Sequence, residues 1–423
     1  MQTRACDVAI IGGGIIGLAC AWYLRAAGRE VVVLERGKPG AGASHGNCGT
    51  ITPSHAPPLP EPGVIGRALR WMLQPDAPLY VRPRFDPALW GWLLRFAAHC
   101  NRTDHARATR VRAQLLNDSS AALEALIAET GIDCAFERLG LLYVFRQPAW
   151  RERFGDLPET LAPLGIRAEA WDGRRTEAEE PALRPGVTGG IWFPDDAHLR
   201  PDRLVAGLAR AAQAAGVELC AGAPVTDLEV RGGRIETVVT PGVRWQPREV
   251  VLAIGAWSPR LARRLGLRLP IQPGKGYSMT FDRPGLAPRR ALVLKEPSVC
   301  VTTWPDGFRL GSTMEFSGYD SRLNAVRLAA LRRAAETHLR EPGAGEPQEA
   351  WSGWRPMTPD DIPVIGRVPG LQNAVVATGH GMLGMSMSAA TGLLVRDILR
   401  GEAPADRLAP LAPGRFTWAA GKG

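Results

Sequence analysis

Three short stretches of this 423-residue chain combine residue types that can do chemistry. The first is "IIGGGIIG", in which Gly12, Gly14 and Gly17 supply G-x-G-x-x-G directly after the apolar run 8–11. Such spacing gives a tight turn, lets the backbone approach a pyrophosphate, and packs a helix closely on the strand. The helix from Ile15 onward then turns its first amides and its dipole towards the phosphates. Glu35 closes the next apolar run, "EVVVLE", where a carboxylate can accept hydrogen bonds from ribose hydroxyls. An acid at that place argues against a 2′-phosphate, so NADP is not expected. The second stretch is "GWRPMTPDDIPVIG" (353–366), with Arg355 between Trp354 and Pro356. A proline restricts the residue before it to extended backbone, and a guanidinium fixed in this way offers a carboxylate two parallel N–H bonds. The competing reading is an ion pair from Arg355 to Asp360 or Asp361 that only ties the turn. The third stretch is "ATGHGMLGMSMSAATG", where Gly379, Gly381 and Gly384 lead into a helix and place a second helix N-terminus at a ligand-facing turn. His380 in that turn is read either as a proton shuttle or as a packed histidine.

These stretches need elements to position them. The sequence from "CDVAII" to "VVVLER" reads as strand, helix and strand, with Gly28 ending the helix. "GKPGAGASHGNCGTI" follows the second strand as a loop of small residues, not as another βα unit. Such a loop can run beneath a pyrophosphate and along an isoalloxazine, which favours FAD over NAD. The α/β pattern returns at 200–216 as an amphipathic helix, then as strands around Gly232-Gly233, then in "REVVLAIGAWSPRLARRLG". That last strand is expected to pack beside the first. The nucleotide domain is therefore expected to be discontinuous: Rossmann-like α/β over 1–90, 196–262 and 352–423. An α+β substrate domain with a mixed sheet takes 91–195 and 263–351. In it, "GIWF", "PGKGYSMTF", "SVCVTTW" and "GFRLGSTMEF" are strands, and 106–130 and 320–341 are covering helices.

Composition bounds the partners. Lys+Arg 51 against Asp+Glu 42 gives a net charge of +9, yet the arginines are scattered and no dense basic run of the nucleic-acid kind occurs. The 7 cysteines are widely spaced, odd in number and include no C-x-x-C, which implies neither a disulfide framework nor a zinc site and favours a reducing, cytoplasmic setting. No metal is expected. Glycines 12–14 split the first apolar run, against a signal peptide, and no stretch of 18 uninterrupted apolar residues suggests a spanning helix. Segment 57–101 interleaves Trp71, Met72, Leu73, Trp90, Trp92, Leu93 and Phe96 with Arg67, Arg70, Arg82, Arg84 and Arg95. It is read as apolar packing on the substrate domain, with a peripheral contact on the inner face of the cytoplasmic membrane as the alternative.

Taken in order, "IIGGGIIG…VVVLER", "GASHGNCGTITP", "VVLAIGAWS", "GKGYSMTF", "GWRPMTPDDIPVIG" and "ATGHGMLGMSMSAATG" resemble the FAD-dependent amino-acid oxidoreductases of the D-amino-acid oxidase, glycine oxidase and sarcosine oxidase type. Within that family the likeness is strongest to the bacterial D-amino-acid dehydrogenases. The resemblance implies FAD-dependent oxidative deamination by hydride transfer from Cα to flavin N5. A D-amino acid is the implied substrate, with D-proline and cis-4-hydroxy-D-proline among the candidates, and a quinone-type acceptor receives the electrons. It implies cofactor contacts from Gly12, Gly14, Ile16 and Gly17, from Glu35 and Arg36, and from Ser44, Asn47 and Gly49. Further contacts are implied from Val225, Gly255 and Trp257 and from Gly381, Met382, Leu383, Gly384 and Met385. Substrate contacts fall on Arg355, Tyr277 and Thr50, with Arg355 and His380 at the reacting centre. Covalent attachment in relatives falls at the places of Asn47 and near Met357, neither of which can bond flavin, so FAD is expected to be non-covalent. A second substrate arginine of glycine-oxidase-like enzymes is absent at Thr303. Arg309 replaces an oxygen-activating lysine, which favours a dehydrogenase. The alternatives are a flavin oxidase using O₂, a tRNA-modifying flavoprotein, and an accessory flavin subunit of a heteromeric dehydrogenase.

Overall fold

A computed structural model describes residues 1–72 and 77–416. Leu73 of the aromatic segment and residues 417–423 of the expected nucleotide domain lie outside the described residues. The first strand, Gln2–Ile11, sits in the parallel middle of a sheet whose edges carry the antiparallel strands Asp227–Arg231, Arg234–Thr240 and Val364–Arg367, and is flanked by Val31–Leu34 on one side and Val243–Leu252 on the other. Outer neighbours, also parallel, are Glu218–Cys220 and Ala374–Thr378. Residues 8–11 and 31–34 are nearly continuous apolar runs because both faces of this sheet are covered. Val8, Ile10, Val31 and Val33 point into one core with the first and last helices, while Ala9, Ile11, Val32 and Leu34 point into another.

The first helix, Ile15–Ala26, and the last long one, Ser388–Arg400, lie against each other on that sheet. Gly392 permits this: a Cβ there would stand 2.6 Å from the Tyr23 ring and 2.8 Å from the Ala19 carbonyl oxygen. Ala390, Leu394 and Ile398 form the buried face of the last helix, and Gly401 ends it with φ +76°.

The second sheet is mixed. Its order runs Glu349–Met357, Gln272–Phe281, Gly307–Phe316, Val299–Trp304, Ala291–Leu294, Leu141–Phe145, Gly189–Phe193, Glu169–Asp172. Leu79–Val81 adds to it beside Gly307–Phe316. Thus 79–81 and 352–357, placed in the nucleotide domain by the sequence-based division at 90 and 352, pair into the mixed sheet. Strand pairing with Gln272–Phe281 continues to Met357, where the chain leaves for the parallel sheet. Helices Arg102–Thr130 and Ala325–His338 are the two expected over 106–130 and 320–341. No helix among the described residues is long and apolar enough to cross a membrane.

Candidate active site

Residues of both sheets line one cavity of about 1170 Å³. At its nucleotide end the three motif glycines have separate duties. Gly12 adopts φ +109°, and a Cβ on it would stand 2.5 Å from the Ala253 carbonyl oxygen. A Cβ on Gly17 would stand 1.9 Å from the Gly12 carbonyl oxygen, so this glycine brings helix and strand together and does not line the cavity. Gly14, at the helix N-cap, lines it, and its Cβ would meet nothing nearer than Ser44 Oγ at 3.5 Å. Ser44 Oγ accepts from Ile15 N at 3.1 Å, and Ile16 borders the cavity one residue further. Glu35 accepts from Gly13 N at 2.7 Å and from Gly37 N at 2.9 Å, which holds its carboxylate at the cavity rim. The Arg36 guanidinium lies 3.8 Å above the Trp257 ring, and Val225 and Gly255 belong to the same wall.

On the other side, Gly379 and Gly381 adopt φ +76° and +54°, conformations that favour glycine, just before the last helix. Gly381 N donates to Pro356 O at 3.1 Å, which ties this turn to the Arg355 strand. Met382, Leu383, Gly384 and Met385 border the cavity there. A helix N-terminus, an open face at Gly14, a rim carboxylate and a second helix beyond a glycine turn make a cradle that fits an extended flavin dinucleotide. Asn47 is occupied by bonds to Ser44 O (2.9 Å) and from Gly49 N (2.7 Å), and neither it nor Met357 is a nucleophile.

The clamp end is built on strand alternation. Trp351, Gly353 and Arg355 share one face of their strand and pair with Ser278, Gly276 and Gly274. The Arg355 guanidinium lies on Gly276, where a Cβ would be 2.3 Å from Cζ. One N–H is fixed: Nη1 donates to Thr313 O at 2.7 Å. Asp361 pairs with Arg112 and Asp360 with Arg415 at 2.9 Å, so neither aspartate ties Arg355 down. Among the described residues Arg355 makes no ion pair, and burial holds its pKa below the usual arginine range.

Several expected contacts differ. Tyr277 borders the cavity, but it lies between Gly276 and Ser278, which face the clamp and the 44–50 loop, and its ring packs with the core of the mixed sheet. Its hydroxyl donates to Glu315 Oε2 at 2.9 Å and is not free for a substrate carboxylate. Gly49 does not line the cavity. Its φ is +69° and a Cβ would stand 2.0 Å from Leu199 O, so it serves packing. Thr50 does border the cavity, and its carbonyl accepts from Ser386 Oγ at 3.1 Å. His380 Nε2 lies 2.9 Å from Thr391 Oγ1, whose own proton goes to Met387 O, so the ring donates to the helix. Burial pushes His380 down to about 3, which suits a packed neutral ring and not a proton shuttle at neutral pH. Trp354 faces away from Arg355 and packs edge-on to Trp257 at 5.5 Å.

Arg309 turns out to be a structural clamp. It is 1 % exposed, with Nη1 donating to Asn47 O at 2.8 Å and Nε to Thr280 Oγ1 at 2.9 Å. Sequence reasoning missed Lys295, which also borders the cavity. Its Nζ stands 4.1 Å from the Tyr143 ring and 4.3 Å from that of Phe154, and burial pushes it down to about 8. No motif surrounds it in sequence. In segment 57–101 the structure separates two sets. Leu89, Trp92, Phe96 and Phe316 form a small core, with Trp92 Nε1 donating to Met357 O at 3.0 Å. Ile65, Leu69, Met72, Phe85, Trp90 and Leu94 are exposed.

This arrangement defines a flavin-dependent oxidoreductase, and comparison with known proteins agrees. The chain belongs to the FAD dependent oxidoreductase family, whose model matches residues 7–398. It is 38% identical to the D-amino acid dehydrogenase of Paramagnetospirillum magneticum over 97% of this chain and 99% of that one. With the D-amino acid dehydrogenase of Methylobacterium nodulans it shares 36% identity over 98% and 100% of the two chains. Two solved structures share the fold. Glycine oxidase from Geobacillus kaustophilus superposes with a TM-score of 0.79 at 24% identity, covering 98% of this chain and 100% of that one. L-proline dehydrogenase from P. horikoshii gives 0.76 at 19% identity, covering 98% of each.

Proposed function

We propose that this protein is an FAD-dependent dehydrogenase that oxidatively deaminates a D-amino acid, with the cyclic D-proline and cis-4-hydroxy-D-proline among its candidate substrates. The observation that carries this reading is Arg355: a cation facing the cofactor cavity, fixed on one side by Thr313 O and without a carboxylate partner among the described residues. A half-satisfied guanidinium of this kind is a ready seat for a substrate carboxylate, since leaving it unpaired in a dry site is costly. FAD, when bound, supplies the hydride acceptor. The chain's part is to seat the carboxylate, hold Cα near the flavin and exclude water. No protein base is required if the amine arrives neutral, which agrees with His380 being a poor base. Dye-coupled turnover (dichlorophenolindophenol) across D- and L-amino acids tests this. Turnover on D-isomers is expected; activity confined to L-isomers, or none with the purified chain alone, overturns it.

We also propose a membrane quinone as acceptor. Arg309 is committed to the loop carbonyls, and the exposed Ile65, Leu69, Met72 and Trp90 belong to the cavity border as well as to the surface. Apolar side chains beside Arg67 and Arg70 suit an anionic bilayer surface, where a lipophilic acceptor could enter. Anionic liposomes should retain the protein at low salt, and peroxide should form much more slowly than dye is reduced. Full recovery in the supernatant, or stoichiometric peroxide at the dye rate, refutes this assignment.

A further inference from the structure

Two cysteines meet at the floor of the clamp, and the activity proposed above has no use for them. Cys300 pairs across the mixed sheet with Gly311. Side chains of directly opposed residues point the same way and lie about 5 Å apart at Cβ. At Gly311 that side-chain space is filled from above: a Cβ there would stand 2.5 Å from Cys48 Sγ. Cys48 therefore lies over the strand next to Cys300, and both border the cavity.

The loop that carries Cys48 is pinned to the sheet. Ser278 Oγ donates to Gly46 O at 2.7 Å, Arg309 to Asn47 O at 2.8 Å, and Thr302 Oγ1 to Cys48 O at 2.7 Å. The same Thr302 hydroxyl lies 3.9 Å from Cys300 Sγ. The thiols are therefore held together by bonds on both sides of Cys48, and both are free. The neighbouring Cys300 thiol and the Arg355 and Arg309 guanidiniums hold Cys48 below the ordinary thiol range despite burial. Cys300, buried beside Cys48, is pushed up. The other cysteines, among them Cys6, Cys20 and Cys134, are all raised by burial.

We propose that Cys48 and Cys300 are an oxidative modification site, converted by hydrogen peroxide to a disulfide that ties the flavin-side loop to the sheet beneath Arg355. Cys48 sulfur attacks one peroxide oxygen: the S–O bond forms, the O–O bond breaks and water leaves, giving a sulfenic acid. Cys300 sulfur then attacks that sulfur: S–S forms, S–O breaks, and the Cys300 proton leaves with the hydroxyl as water. Two thiols lose two electrons, and one peroxide becomes two waters. The linkage does not depend on the substrate; its effect on turnover rests on the reading of Arg355 given above.

The test uses the purified holoprotein and a modest excess of hydrogen peroxide. Intact mass should fall by two hydrogens, two thiols should be lost, and a non-reduced digest should join the peptides of Cys48 and Cys300. Dithiothreitol should restore both thiols, and dye turnover should drop several-fold on oxidation and recover on reduction. Cys48→Ser and Cys300→Ser should each lose the linkage, with activity compared only before and after peroxide within each variant. Gly311→Ala, whose methyl group displaces Cys48, should slow the linkage. Oxygen added to Cys48 without a crosslink, a crosslink to another cysteine, or thiols left intact would overturn the proposal. A linked protein with unchanged turnover would keep the site and remove its influence on the clamp.

Discussion

Gly276→Ala is the most direct probe of the clamp, because it leaves every charged group in place. Gly276 sits opposite Gly353 within a strand pair and has no positive φ, so its backbone accepts alanine without strain. The added Cβ would stand 2.3 Å from Arg355 Cζ and 2.4 Å from both Nη atoms. Ordinary contact begins near 3.5 Å, so the guanidinium must move by roughly 1 Å. What moves is the far end of a long side chain, so the fold should tolerate the change and flavin content should stay normal. The substrate should not tolerate it: a misplacement of about 1 Å can cost roughly 10²-fold in rate, or about 2.7 kcal/mol of transition-state binding. Dye-coupled kcat/KM on the best D-amino acid measures this, with flavin absorbance and the melting midpoint as controls. Wild-type kcat/KM in a correctly folded, flavin-loaded variant would refute the claim that Arg355 seats the substrate.

Arg355→Lys replaces the planar fork by a point charge and should raise KM steeply. A loss of about 2–4 kcal/mol, roughly 30- to 900-fold in kcat/KM, is expected with FAD retained; loss of flavin or a melted fold would contradict it. Gly14→Val should abolish flavin retention, since its side chain would project into the cavity, whereas acid should release FAD from the wild type; a normally yellow variant, or flavin precipitating with the chain, would count against the cradle. Asp196 is buried beside Ser54 and pushed up to about 8, mainly by desolvation. Its folded value lies above the unfolded one, so its contribution is full below about 4 and is lost as pH rises to about 8. The wild type should therefore lose stability across that window more steeply than Asp196→Asn, and equal slopes in urea melts would exclude the effect.

The parts of this site legible in sequence are those where one residue type has one physical reason to be there. Gly12, Gly14 and Gly17 with Glu35 announced the nucleotide end, and the flanking proline announced a fixed Arg355. What stayed hidden depends on which strand lies beside which. Tyr277 was expected at the substrate, but a register shift between Lys275 and Tyr277 and the pleat beyond it turn its ring into the core. Arg309 reads in sequence only as the replacement of an oxygen-activating lysine, yet it stands beneath a loop some 260 residues earlier in the chain and bonds that loop's carbonyls. Gly49 reads as a ligand contact until Leu199 arrives from another segment. The meeting of Cys48 and Cys300 has no local signature at all, because Gly311 makes the room for it.

The close seating of the last helix on the first, through Gly392, Tyr23 and Ala19, bears on how the protein comes into being. A ribosome delivers the phosphate-binding turn at once, but the glycine turn 379–384 and the Arg355 strand emerge only at the end of synthesis. The first strand lacks its neighbour Val243–Leu252 until the middle of synthesis, and that strand lacks Ala374–Thr378 until near the end. The emerging chain thus carries a nucleotide motif with unpaired edges and only part of a cavity, a state open to misassociation. Flavin capture then becomes a readout of complete translation. A chain truncated before Ser388 keeps all of the recognisable nucleotide signature and should still emerge colourless.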